Sequence, residues 1–185
     1  FPTPLTAIQL LWLNLITDGA PALALAMEKG DPTVMQRQPR PPKEPIINGS
    51  MRLGIIVQMF TQTGATLGAF VLGLLWHLEE GAFVPAGVSP LAYLLQHDWS
   101  MMKDGVQTAE TMAFLTLSLC ELFRAYTVRS EYSSIFRIGV FSNKYMQYAV
   151  GMSIFLMSLV VALPFLQPIF NTHMPNLREW TVILS

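Results

Sequence analysis

Long apolar runs, each interrupted by only a few polar positions, divide the chain into four segments of bilayer-spanning length. They cover about 5–27, 53–78, 109–128 and 145–165, against the roughly 20 residues that one helical span requires. A fifth apolar segment begins near Glu179. Runs of this length read as helices, because a backbone in lipid must satisfy its hydrogen bonds within itself. The pattern predicts an all-α fold, a polytopic transmembrane helix bundle, across the single region 1–185.

The first span carries polar groups at its centre. Asn14, Thr17 and Asp18 stand at i, i+3 and i+4, so their oxygens share one helical face. A charge at mid-membrane costs about 2.5–3.5 kcal/mol on insertion scales, which marks Asp18 as a functional candidate. Pro21 lacks an N–H and its ring clashes with the carbonyl of Thr17, four residues back. That predicts a broken helix with a freed carbonyl, a device by which transporters present backbone oxygens to cations. A kinked helix whose polar groups only tie helices together is the other reading.

The remaining spans differ in character. The second holds Gln58, Thr61, Gln62 and Thr63, then the small residues Gly64, Ala65 and Gly68, and reads as a packing face. The third places Ser118, Glu121 and Arg124 at successive i+3 spacings deep in an apolar stretch. Glu121 is either a cation ligand or half of an internal ion pair with Arg124. The fourth span carries no charge and reads as scaffold, ended by Pro164. His77, His97 and His173 lie far apart without metal-ligand spacing, and the lone Cys120 reads as a small hydrophobe.

Composition agrees with the membrane reading: 52% of the residues are hydrophobic and only 12% charged. Net charge of −1 points to no nucleic-acid partner. Basic residues instead report orientation. Lys29, Arg37, Arg40, Lys43 and Arg52 lie in 28–52, and Arg129, Arg137 and Lys144 in 129–144. The 79–107 loop holds Lys103 alone. By the positive-inside rule the first two loops are cytoplasmic and the third external. Prolines 32, 39, 41, 42 and 45 make the first loop a stiff, extended strap.

Asp18 and Glu121 offer anionic oxygens, and Asn14 and Thr17 neutral ones, with no thiol or imidazole among them. Such a set suits a hard cation, and argues against zinc or copper. Calcium takes six to eight oxygens, so further ligands are needed from outside these four side chains. Arg124 weakens the case for two divalent ions side by side, because a guanidinium stays charged.

These residues carry a resemblance. Leu10-Leu11-Trp12-Leu13-Asn14-Leu15-Ile16-Thr17-Asp18-Gly19, followed by Pro-Pro-Lys-Glu-Pro at 41–45, resembles the sixth membrane helix and following loop of P-type calcium ATPases. The likeness is nearest the sarcoplasmic-reticulum type and its bacterial relatives. It implies that 1–185 is a C-terminal membrane region, from the sixth helix to the start of the tenth, cut from a longer chain. It further implies that Asn14, Thr17 and Asp18 are calcium ligands of the sixth helix and Glu121 the ligand of the eighth. On the same basis, the 28–52 strap contacts a phosphorylation domain, and Gly64 to Gly68 faces an absent fifth helix.

Arg124, one turn from Glu121, resembles bacterial members thought to move one calcium per cycle. Partners implied are the lipid bilayer and the parent's other membrane helices and cytoplasmic domains, in a bacterial plasma membrane. The ATP and Mg²⁺ chemistry belongs to the parent, since the sequence has no aspartyl-phosphate motif and no residue is assigned a catalytic role. A manganese or monovalent-cation pump, or an ion-coupled carrier or channel without ATPase activity, is the alternative.

Overall fold

The computed structural model describes residues 2–30, 34–36, 41, 45, 47–81, 93, 99, 103–130, 136 and 139–185, without the side chains of 34, 50 and 78–81. Residues 31–33, 37–40, 42–44 and 46 of the 28–52 strap, most of the external loop, His97 and Arg137 lie outside the described residues. The described elements are helical. In order they are α1 (Ala7–Asn14), a π-helical turn (Leu15–Gly19), α2 (Ala20–Ala26) and a 3₁₀ turn (Val34–Gln36). Then come α3 (Gly49–Gly81), α4 (Lys103–Thr127), α5 (Lys144–Ala162), α6 (Gln167–Phe170) and α7 (Leu177–Ile183).

Among the described residues three helical stretches are long and apolar enough to cross a membrane: Ala7–Ala26, Met51–His77 and Lys144–Ala162. By length and apolar composition they are suited to spanning a bilayer. The predicted third span also forms a helix, α4, of 25 residues, but it is less apolar than the other three. Its polar residues are turned inward: Thr108, Glu110, Thr111, Thr116 and Ser118 are all buried. Burial by neighbouring helices replaces lipid as the environment of α4.

Local chemistry sets the helix ends. Thr6 and Gln9 form a reciprocal capping box, with Gln9 N donating to Thr6 Oγ1 at 3.3 Å and Thr6 N to Gln9 Oε1 at 2.9 Å. Asn143 caps α5, its Oδ1 accepting from Met146 N at 3.1 Å. At the other end Leu163 is extended (φ −88°, ψ 115°) because Pro164 follows it. Helix α7 begins at a second capping box, Asn176 with Glu179.

Packing is tightest between α3 and α4. Phe70 and Leu74 of α3 are buried with Ala109 and Ala113 of α4. A Cβ on Gly73 would sit 2.8 Å from Ala109 Cα, so only glycine permits this approach. A second core joins Leu13 and Ile16 to Met112 and Leu115 of α4 and Met157, Val160 and Val161 of α5. A third joins Ala24 to Leu122, Ala125, Met146 and Val150. The first helix is thereby wedged between α4 and α5 along its length.

Candidate cation site

The polar face of the first helix lies on a local departure from α geometry. Leu15–Gly19 forms a single π-helical turn, entered and left in the right-handed helical region (Asn14 φ −56°, ψ −38°; Ala20 φ −66°, ψ −42°). The sequence predicts a break at Pro21; the backbone instead stays helical. A π turn inserts one extra residue into the helix and absorbs the mismatch that a proline creates in the i→i−4 ladder. Such turns are frequent at functional sites.

The side chains divide between two environments. Asn14 and Asp18 are exposed on one face of the first helix, alongside Leu11 and Leu15. Thr17 is buried and its hydroxyl donates to Leu13 O at 2.9 Å, four residues back. Both lone pairs of that oxygen remain available to accept or to ligate. The turn is fixed from α5, where Ser153 Oγ donates to Ile16 O at 2.6 Å in a buried bond. The carbonyl taken by a side chain is therefore that of Ile16, next to the one singled out by Pro21. Ser153 lies in the span read as plain scaffold, and a serine in an apolar run carries no signal of such a role.

Glu121 belongs to a separate group on α3 and α4. Gln62 Nε2 donates to its Oε1 at 2.6 Å. Arg124 Nη1 lies 4.0 Å from its Oε2, an ion pair too long to be a hydrogen bond. Gln62 and Arg124 also line a groove of about 390 Å³ with Gln58, Thr66 and Leu117. Gln62, read from sequence as a packing residue in preference to an ion contact, thus touches a candidate ligand. Among the described residues no hydrogen bond or ion pair joins Glu121 to Asn14, Thr17 or Asp18, and no three acidic, His or Cys side chains gather as a metal cluster.

The two groups are nonetheless linked at one end of the bundle. Glu28, just past α2, receives Arg129 Nε and Nη2 at 2.8 Å each, and Asn143 Nδ2 at 2.8 Å. Asn143 also donates to Ala24 O at 2.9 Å, and Arg129 Nη2 to Ser142 Oγ at 2.6 Å. Hydrogen bonds from Arg129 hold the Glu28 carboxyl below its ordinary range against the opposing effect of burial, with Asn143 adding to them. The same pairing raises Arg129.

At the opposite end His173 contacts Thr111 Oγ1 at 3.3 Å and Glu179 Oε2 at 3.0 Å. Its ring is engaged there in helix docking. His77 packs against Gly105.

Comparison with known proteins decides the family. Residues 2–185 match the family model described as "Cation transporting ATPase, C-terminus". The chain belongs to this family. Its relatives include calcium-transporting ATPase 1 of Bacillus cereus, 33% identical over 186 residues covering 98% of the chain and 19% of the relative. The calcium-transporting ATPase of Bacillus subtilis is 34% identical over 184 residues, 100% of the chain and 18% of the relative. The human calcium-transporting ATPase type 2C member 1 is 31% identical over 187 residues, again across 100% of the chain and 17% of the relative. The chain thus spans about a fifth of the length of its bacterial relatives. The resemblance to P-type calcium ATPases extends from one end of the chain to the other, and the names of these relatives do not favour a manganese or monovalent-cation pump or an ion-coupled carrier or channel.

Proposed function

We propose that this chain is the C-terminal transport region of an ATP-driven pump that exports Ca²⁺ from the cytoplasm. Asn14, Thr17, Asp18 and Glu121 supply part of its intramembrane oxygen cage. The observation that carries the reading is the π turn, which sets Asn14 and Asp18 side by side on a face this chain leaves uncovered. A carboxylate turned to lipid costs several kcal/mol. That face is therefore read as closed by the parent's other membrane helices, which complete the six to eight oxygens calcium needs. The names of the matched relatives support calcium as the ion.

ATP and Mg²⁺ act outside this chain, and coupling runs through covalent aspartyl phosphorylation in the parent. The chain sits in a plasma membrane, with loops 28–52 and 129–144 cytoplasmic and 79–107 external. The gathering of Glu28, Arg129 and Asn143 at one end of the bundle supports that alternation. Ion-dependent ATPase activity of the full-length protein, compared across calcium, manganese and sodium, tests the proposal. Calcium at micromolar levels is the expected activator; activation by sodium alone contradicts it.

A further inference from the structure

We infer that Gln62 is a positioning residue for ion binding: its amide holds the Glu121 carboxylate in the orientation that receives the cation. The inference rests on the reading of Glu121 as a calcium ligand.

Three observations carry it. The bond from Gln62 Nε2 to Glu121 Oε1, at 2.6 Å, is short even for a hydrogen bond to a charged group. Because an ionised carboxylate only accepts, the amide must present its NH₂ side, which leaves the Gln62 carbonyl oxygen free. Arg124, at 4.0 Å from the other oxygen, supplies charge without fixing geometry. Glu121 Oε2 therefore remains open to an ion while Oε1 is held.

The donor comes from a rigid neighbour. Gln62 and Glu121 are 59 residues apart and meet only because α3 and α4 pack closely, with Gly73 on Ala109 and Phe70 and Leu74 buried behind them. Their surroundings are accessible. Gln62, Arg124 and Thr66 line the groove between the helices, and the buried Thr66 hydroxyl has no partner among the described residues. A ligand carboxylate oriented by an outer hydrogen bond follows a general pattern. Loss of such a partner lowers metal affinity by about 10- to 100-fold.

The test uses the full-length pump and reads calcium-dependent ATP hydrolysis against free calcium. Gln62→Met keeps length and removes the donor. It is expected to raise half-saturating calcium by about 10- to 100-fold while the rate at saturating calcium stays near wild type. A fall in the saturating rate with half-saturation unmoved means a purely structural role and overturns the inference.

Gln62→Glu serves where the methionine variant fails to fold, since it keeps shape and polarity. The charged groups facing the introduced carboxyl are Glu121 and Arg124. The substitution replaces the NH₂ donor by an oxygen, so half-saturating calcium is expected to rise by about 10-fold or more over wild type, and half-saturation equal to wild type overturns the inference. Glu121→Gln separates the two levels of argument. If it shifts half-saturation and both Gln62 variants do not, positioning alone is wrong; if it shifts nothing, the ligand reading falls as well.

Discussion

Arg129 grips Glu28 through two parallel 2.8 Å hydrogen bonds, and the pair ties the end of the helix bearing Asp18 to the end of the helix bearing Glu121. The arginine side chain is only 1% exposed and the glutamate 17%. Removing one member of such a buried pair strands the other charge, at about 3–5 kcal/mol. Arg129→Met is therefore expected to lower the melting temperature of the pump's membrane region in detergent, and a melting point equal to wild type contradicts it. The pH dependence has a definite sign. Folding depresses the Glu28 pKa, so its contribution is full above the ordinary carboxylate range and is lost as acid titrates through the lower folded value. Acid destabilisation should be shallower in Arg129→Met than in wild type.

Ser153 holds the π turn from outside. Ser153→Ala leaves the buried Ile16 carbonyl without its donor, a loss of about 1–3 kcal/mol. Because that carbonyl adjoins Thr17 and lies two residues from both Asn14 and Asp18, weaker calcium activation should accompany the lower stability. Equilibrium unfolding and a calcium titration of the same variant check both effects.

The approach of α3 to α4 depends on a missing side chain. Gly73→Ala would put a methyl 2.8 Å from Ala109 Cα and 3.1 Å from Met112 Sδ. Forcing the helices apart should cost about 1–3 kcal/mol, as overpacking does. Gly151→Ala, with nothing within 4 Å of the new methyl in this chain, is the control. A thermal-shift comparison in which the two variants melt alike would refute the packing argument.

Much of this was legible in the sequence. Long apolar runs read as helices in lipid, and spacing alone announces the common exposed face of Asn14 and Asp18. Thr17, read onto the same face, is instead buried with its hydroxyl on Leu13 O. What was not legible depends on tertiary partners. Gln62 reads as packing until α3 and α4 are set side by side, and Arg129 reads as ordinary positive-inside charge until Glu28 is found beside it. Pro21 announces that the hydrogen-bond ladder fails nearby. Whether the backbone then unwinds or takes up a π turn is decided by what packs around it, here Ser153 and the core formed by Ile16 with α4 and α5.

Under the proposed function Arg124 bears on stoichiometry: its guanidinium lies 4.0 Å from Glu121, and a basic group there disfavours a second divalent ion alongside the first. Equilibrium binding to the full-length pump should saturate at one calcium per molecule. Two would refute the role given to Arg124.

The central proposal is that Asp18, exposed on the face this chain leaves uncovered, is the acidic ligand of the cation. Calcium-dependent phosphorylation of the full-length pump by ATP, measured for Asp18→Asn, tests it most directly. The account predicts that phosphoenzyme no longer forms in response to calcium. Formation with wild-type amount and calcium dependence would contradict it.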